Sequence, residues 1–177
     1  MMITFGVNET RWLGPGWHER ESGPGEMIYR YTSACAAMKL DPAWAGGRVG
    51  WVLTAPVNAV GRSMTLELRF KDRAPNAATA SDRADEPDRP HGSSNAPRDM
   101  GDAGPADGQA TRIVLADERW RLVWVTLPAR LAPGAALEAR ITPVFVPDLV
   151  LRNGDHRQIG LRVAAFRIEM TGGAAGS

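Results

Sequence analysis

The sequence predicts an all-β fold, a two-sheet antiparallel β-sandwich of jelly-roll type with a long loop insertion. Three observations predict it. Several windows alternate apolar and polar residues with the period of two that a half-buried strand requires. Turn signals rich in glycine and proline separate these windows at fairly regular spacing, and strong helical periodicity appears nowhere. About eight or nine short strands of this kind are expected to pack as two sheets face to face.

The strand windows follow one another along the chain. Those with clear alternation are residues 27–32, 48–54, 63–70 and 137–145. In the third of them, Met64 and Leu66 are expected to face inward while Thr65 faces water. Residues 120–127 are apolar in both phases, with Trp120 and Trp124 on one side. That pattern predicts a central strand that is covered on both surfaces.

Two local features add detail to this outline. In residues 159–170 the apolar positions change phase at Ala164 and Ala165, which predicts a β-bulge or a sharp bend there. A short helix is predicted over residues 41–45, because Asp41 can cap its start and Pro42 suits the first helical position.

Residues 1–170 are predicted to form a single β-sandwich domain that residues 72–110 interrupt. Between Phe70 and Ile113 the chain has no Val, Ile, Leu, Phe, Trp or Tyr. Such a segment has almost no apolar surface to bury, so it does not offset the entropy cost of ordering. We therefore predict a long mobile loop over residues 72–110 and a flexible tail over residues 171–177.

Composition excludes some classes of partner. The chain has 177 residues and a formal net charge of +1, and its arginines are scattered rather than gathered into a basic stripe. It therefore has no long-range field that recruits nucleic acid or an anionic membrane. No window approaches the length of a membrane span, and the N-terminus lacks the pattern of a secretory signal. We expect no nucleic acid partner, no membrane insertion and a cytoplasmic location.

The sequence offers few residues for catalysis. Cys35 is the single cysteine and has alanine neighbours, so we expect a small buried residue rather than a reactive thiol. His91 lies in the predicted loop, which leaves His18 and His156 on two different turns, and their spacing to nearby carboxylates matches no metal-ligand pattern. No glycine-rich phosphate loop is present. We predict no catalytic residues, no metal site and no cofactor.

Tryptophan usage is the more informative feature. The chain has six tryptophans, and an exposed indole can stack on the C–H face of a sugar ring. Three of them are in phase with apolar strand neighbours and are expected to be buried, namely Trp51, Trp120 and Trp124. The other three lie beside turns, where an exposed face is expected, namely Trp12, Trp17 and Trp44. The second group is the better choice for a ligand site.

Two segments carry a family pattern. The first has Gly16-Trp17, then Glu21, then the strand Tyr29-Arg30-Tyr31. The second runs from Phe145-Val146-Pro147 through Asp155-His156-Arg157-Gln158-Ile159-Gly160 to Phe166-Arg167-Ile168. Together they resemble small β-sandwich accessory domains that occur alone or fused to bacterial glycosyltransferases and other polysaccharide-biosynthesis proteins.

The resemblance implies a non-catalytic, carbohydrate-binding accessory module that is linked to bacterial polysaccharide biosynthesis. It implies a saccharide as ligand and a glycosyltransferase as partner, and it supplies no catalytic residues. The surface that we select for the ligand combines the family motifs with the neighbouring indole and carboxylates. Its residues are Trp12, Trp17, His18, Glu19, Glu21, Asp155 and Arg157.

Three alternatives stand beside that hypothesis. The motif residues could simply maintain the fold, with Glu21 paired to Arg30 or Arg157 and Asp155 closing the turn at Asn153-Gly154. The chain could be a jelly-roll enzyme acting on a glycan or a sugar nucleotide through His18 or His156 and nearby carboxylates. It could also be a structural protein-interaction domain that docks through a sheet edge or through the loop.

Overall fold

The computed structural model describes residues 1–71 and 110–170. Within them the chain forms ten strands, and all the strand pairs are antiparallel. The strands are β1 (Met2–Thr4), β2 (Trp17–Ser22), β3 (Ile28–Thr32), β4 (Cys35–Lys39), β5 (Arg48–Thr54), β6 (Met64–Lys71), β7 (Thr111–Leu115), β8 (Arg121–Thr126), β9 (Ala136–Thr142) and β10 (Arg162–Glu169). The predicted mobile loop, apart from its last residue Ala110, and the predicted tail lie outside the described residues.

The ten strands form two sheets. The larger sheet has the order β2-β3-β10-β5-β8, with β1 paired to β10, and the smaller sheet has the order β4-β9-β6-β7. From β3 onward the chain crosses between the sheets at almost every step, which is the wrapped topology of a jelly roll. The predicted all-β sandwich is therefore confirmed. Strands on both sides of residues 72–109 pair with one another in each sheet.

The predicted strand windows coincide with β3, β5, β6 and β9 to within a few residues. The predicted bulge is also present, because the pairing of β10 with β5 shifts register between Val163 and Ala165. This shift keeps Val163 and Phe166 on the buried face although they are an odd number of residues apart.

Short helices occupy the connections. Two are α-helical, α1 (Val57–Val60) and α2 (Pro147–Leu151), and three are 3₁₀ helices, at Thr10–Trp12, Pro24–Glu26 and Pro42–Trp44. The last of these confirms the predicted short helix, since the Asp41 carboxylate accepts a hydrogen bond from the backbone N–H of Ala43 at 2.9 Å. α2 presents Leu149, Val150 and Leu151 to solvent.

A single apolar cluster fills the space between the sheets. The larger sheet contributes Trp51, Leu53 and Phe166, and the smaller sheet contributes Leu66 and Leu137, all with negligible exposure. Because alternate strand residues point to opposite faces, each strand gives about half of its side chains to this core and half to the outside. The outer faces are therefore where ligand chemistry must be sought.

A buried ion pair lies behind strand β3. The Glu9 carboxylate accepts hydrogen bonds from the Arg30 guanidinium at 3.3 Å and from the Gly6 backbone N–H at 3.0 Å, and its side chain is only 2% exposed. Burial opposes ionisation of Glu9, but these hydrogen bonds and the nearby Arg20 outweigh it, so the pKa of the carboxyl is lowered. Arg30 also donates to the backbone oxygen of His18 at 2.8 Å, which ties β2 and β3 to the N-terminal segment.

Two sequence predictions about burial are wrong. Strand β8 is an edge strand of the larger sheet rather than a central one, and Trp120 and Leu122 are each 38% exposed. Cys35 is exposed as well. It shares its phase in β4 with Lys39, whereas Ala36 and Met38 face the core, so its alanine neighbours were a poor guide to its own burial.

Candidate functional site

The outer face of the larger sheet carries an unusual set of side chains. Directly paired residues in antiparallel strands project to the same face. The pairs Val52 with Leu122 and Gly50 with Trp124 therefore lie on the side opposite the buried Trp51. Across the sheet, Arg162 on β10 pairs with Tyr31 on β3. This surface is defined here as the aromatic face, and its residues are Tyr29, Tyr31, Gly50, Val52, Trp120, Leu122, Trp124 and Arg162.

Trp124 is held against the sheet by the lack of a side chain at Gly50. A Cβ atom at Gly50 would lie 2.9 Å from Cε3 and Cζ3 of the Trp124 ring, closer than real Cβ atoms approach other atoms. The Arg48 guanidinium lies over the same ring, with Cζ 4.3 Å from its centroid, and is itself fixed to Glu169 at 2.9 Å. Trp124 is thus already engaged by its own neighbours, and it is half-buried.

Trp120 and Tyr29 offer the more accessible rings. Trp120 lies just before β8 and its ring centroid is 6.5 Å from that of Tyr29, at an interplanar angle of 53°. Tyr29 in turn contacts Tyr31 edge to face at 5.4 Å. Burial and the neighbouring Tyr31 raise the pKa of Tyr29, against the opposing effect of Arg162. The Tyr29 hydroxyl therefore stays protonated at neutral pH and can donate a hydrogen bond.

Four of the sequence-predicted residues meet at the β2 edge of this face. Arg157 donates to the Glu21 carboxylate at 3.2 Å and to Asp155 at 2.7 and 2.9 Å. The ring Nε2 of His18 lies 2.9 Å from the backbone oxygen of Gln158. These four side chains, His18, Glu21, Asp155 and Arg157, are called the edge cluster below. Residues 136 positions apart in sequence are thus brought together, and Glu21 pairs with Arg157 and not with Arg30.

Electrostatics keep two members of the edge cluster, Asp155 and Arg157, ionised. Hydrogen bonds from the Arg157 side chain and backbone lower the pKa of Asp155 to about 2, with a smaller contribution from His18. The same pairing raises the pKa of Arg157. Both groups are therefore ionised throughout the physiological range. A carboxylate that does not titrate near neutrality is a poor general acid or base but a stable hydrogen-bond acceptor.

The edge cluster and the aromatic face are continuous. Glu21 on β2 is the direct register partner of Tyr29 on β3, and its charge adds to the rise in the pKa of Tyr29. The charged groups of the edge cluster therefore lie beside the rings of Tyr29 and Tyr31, and the Tyr29 ring lies beside the exposed indole of Trp120. This combined surface is the candidate site.

Other predicted residues lie elsewhere. Trp12 is 9% exposed and stacks on the buried Trp44, with ring centroids 4.5 Å apart. Trp17 packs against the rings of Phe5 and Trp51, and its indole N–H donates to the backbone oxygen of Ala37 at 2.8 Å. The exposure expected for Trp12 is wrong, and Trp17 is only half-buried, with its ring packed against the core.

Glu19 is exposed, and none of its contacts ties it to the edge cluster in the described part of the chain. Sequence reasoning missed Tyr29, Trp120 and Arg162 as site residues. Trp120 carried a usable signal, since it begins an apolar strand immediately after the charged run Asp117-Glu118-Arg119. Such a run is typical of the end of a strand and the rim of a sheet.

Both described histidines are close to neighbouring polar groups. His18 is engaged with a backbone oxygen, and His156 lies 3.5 Å from Asp148 in α2. Among residues 1–71 and 110–170 no group of three or more His, Cys, Asp or Glu side chains is placed to hold a metal ion. No helix in those ranges is long and apolar enough to cross a bilayer.

No protein-family model matches the chain, and a search of the curated proteins finds no similar sequence.

Proposed function

We propose that this protein is a non-catalytic saccharide-binding domain and that the candidate site is its binding surface. The observation that carries the proposal is an exposed indole, Trp120, beside Tyr29 on a sheet face whose edge is lined by hydrogen-bonded ionic groups. Aromatic rings stack on the C–H face of a pyranose, while charged and amide groups form hydrogen bonds with its hydroxyls.

The edge cluster supports binding for an energetic reason. Its side chains are already ordered by mutual hydrogen bonds, so a ligand does not have to pay much of the entropy that ordering long side chains requires. Glu21 pairs in register with Tyr29, so its carboxylate projects to the same face as the Tyr29 ring. Preorganised donors and acceptors beside a ring are the arrangement that gives orientation as well as affinity.

The biological setting that we propose is an accessory role in bacterial polysaccharide biosynthesis, with a glycosyltransferase as partner. Support comes from the motif resemblance, several of whose residues, Glu21, Tyr29, Tyr31, Asp155 and Arg157, fall in the candidate site. Genes for glycosyltransferases and polysaccharide exporters beside this one would support the setting. Co-purification of a glycosyltransferase with the tagged full chain from its native cell would support the partner.

Binding is tested by titrating a panel of neutral and acidic oligosaccharides, with tryptophan fluorescence and calorimetry as readouts. We expect at least one of them to shift the emission of Trp120 and to bind with a Kd in roughly the micromolar to millimolar range. Trp120→Ala and Tyr29→Ala should each weaken binding about fivefold, since a ring contact contributes on the order of 1 kcal/mol. Val114→Ala is the matched control, because Val114 is 60% exposed on the outer face of the smaller sheet.

Two results would contradict the proposal. One is a flat response to every oligosaccharide by both readouts. The other is binding that Trp120→Ala and Val114→Ala weaken equally. A turnover assay with sugar nucleotides separates the enzyme alternative, which requires product formation that His18→Ala or His156→Ala abolishes.

A further inference from the structure

The arginines of the outer face differ in their partners. Arg48 and Arg167 both contact Glu169, at 2.9 and 3.1 Å, and Arg157 is held by Glu21 and Asp155. Arg162 forms no ion pair with any carboxylate in the described part of the chain. Its one side-chain hydrogen bond is to a neutral group, from Nε to the hydroxyl of Tyr31 at 2.8 Å.

The position of Arg162 makes this lack of a counter-charge significant. It lies in register with Tyr31 on one side and Thr54 on the other, near the middle of the sheet. Its Cζ is 5.5 Å from the Tyr31 ring and 5.8 Å from the Tyr29 ring, and the residue is half-buried. A guanidinium that has lost part of its water shell without gaining an anion has unused electrostatic attraction for one.

The geometry of the side chain also suits one kind of anion. The bond from Nε to Tyr31 fixes the plane of the guanidinium, while the Nη1 and Nη2 groups make no hydrogen bond to the described residues. Two parallel N–H donors in one plane match the two oxygens of a carboxylate. Glu21, the carboxylate nearest in register to Tyr29, is already engaged by Arg157 at 3.2 Å and does not compete.

We propose, resting on the saccharide-binding function above, that the ligand is an acidic saccharide whose ring carries a carboxylate, as in a uronic acid, and that Arg162 binds this carboxylate. The pyranose ring then lies toward Tyr29 and Trp120, whose centroids are 6.5 Å apart. Arg162 is the specificity-determining residue, and the aromatic rings supply affinity that neutral and acidic sugars share.

The test compares uronic acid oligosaccharides of several stereochemistries with the same oligosaccharides after reduction of their carboxyl groups. Calorimetry at low salt should give about tenfold tighter binding for the acidic form, the size expected of one charge-assisted pair. Arg162→Gln should remove this preference while leaving affinity for the reduced form within about twofold. Arg162→Lys should keep part of the preference for the acidic form, because lysine retains the positive charge but lacks the planar pair of N–H donors.

Arg112→Gln is the matched control. Arg112 is an exposed arginine of β7 that pairs in register with Glu67 on the outer face of the smaller sheet. It should leave both affinities unchanged. Thermal unfolding of each variant by circular dichroism shows that any lost preference belongs to a folded protein.

The outcomes separate the two proposals. If acidic and reduced oligosaccharides bind equally and Arg162→Gln changes neither affinity, the acidic preference is overturned while saccharide binding stands. If Arg112→Gln lowers the affinity for the acidic form as much as Arg162→Gln does, the attraction is only a general charge effect and the assignment of Arg162 is overturned. If no oligosaccharide binds to the wild-type protein, both proposals fall.

Discussion

The two outer faces of the sandwich have opposite chemistry. The outer face of the smaller sheet carries ion pairs. Lys71 and Arg140 contact the Glu138 carboxylate at 2.7 and 3.7 Å, and Arg69 pairs with Glu67. The larger sheet has aromatic rings, an exposed leucine, and an arginine, Arg162, that has no acidic partner among residues 1–71 and 110–170. The inner faces of the two sheets contribute to one and the same core.

This difference separates a surface that solvation alone explains from one that stability alone does not explain. A solvated sheet surface is satisfied by interspersed charges, and exposed ion pairs of that kind add little to stability. An exposed indole and leucine on a sheet lose favourable burial and increase the risk of association, so folding alone does not account for them. The aromatic face is therefore where a function is to be expected.

The largest expected effect concerns the buried ion pair behind the aromatic face. Glu9→Gln removes the charge that holds Arg30, whose side chain is 16% exposed, and should lower the free energy of unfolding by about 3 kcal/mol. Glu67→Gln, which removes a pair on the smaller sheet, should change it by less than about 0.5 kcal/mol. Urea unfolding of both variants measures the two losses in free energy of unfolding. Equal losses would show that burial does not determine how much these ion pairs stabilise the fold.

The pH dependence of stability follows from the same carboxylate. Because the pKa of Glu9 is lowered below its ordinary value of 4.5 in the folded protein, its contribution is complete above that pH and is lost as pH falls through the lowered pKa. Wild-type stability should fall as the pH drops below about 4.5, and the fall should be shallower in Glu9→Gln. Urea unfolding in that pH range is the measurement, and parallel curves for the two proteins would contradict it.

A smaller effect is expected where the aromatic face depends on a missing side chain. Gly50→Ala places a methyl group 2.6 Å from Cδ1 of Leu122 and 2.9 Å from the Trp124 ring, so the indole must move outward. We expect a loss of about 1 to 2 kcal/mol and a red shift in tryptophan emission. In a background in which both Leu122 and Trp124 are alanine the same change should cost little, and a full cost there would place the strain elsewhere.

The smallest expected effect on stability is the most direct comparison of the two faces. Leu122→Thr and Val114→Thr each replace an exposed aliphatic side chain, on the larger and the smaller sheet respectively. Both should change the free energy of unfolding by less than about 0.5 kcal/mol. Only Leu122→Thr should weaken oligosaccharide binding, by about twofold to fivefold, as measured by calorimetry. Equal effects on binding would remove the functional distinction between the faces.

Much of the fold could be predicted because its signals are local. Alternation located β5 and β6, the change of phase at Ala164 and Ala165 located the bulge, and Asp41 before Pro42 located a capped 3₁₀ helix. Each depends on a few adjacent residues. Four strands, β1, β2, β4 and β7, were missed, since three to six residues carry too weak an alternation.

The candidate site could be predicted only in part. Motif spacing selected Glu21, Asp155 and Arg157, and the structure brings them together, although their role in binding stays a prediction. Tyr29 and Arg162 were missed because their proximity depends on β3 pairing with a strand more than a hundred residues away. Trp12 was misjudged because a neighbouring turn says little about which way a ring folds.

By itself, the sequence determined that short alternating strands would close into a sandwich, because the period of two is a property of each strand alone. Only the tertiary structure decided which phase of a strand meets the core and which strand ends up at an edge. Trp51 and Trp120 both sit among apolar neighbours, yet one has no exposed surface and the other is 38% exposed. The physical reason is that coverage of a face comes from the opposite sheet and from distant pairing partners, which no local pattern encodes.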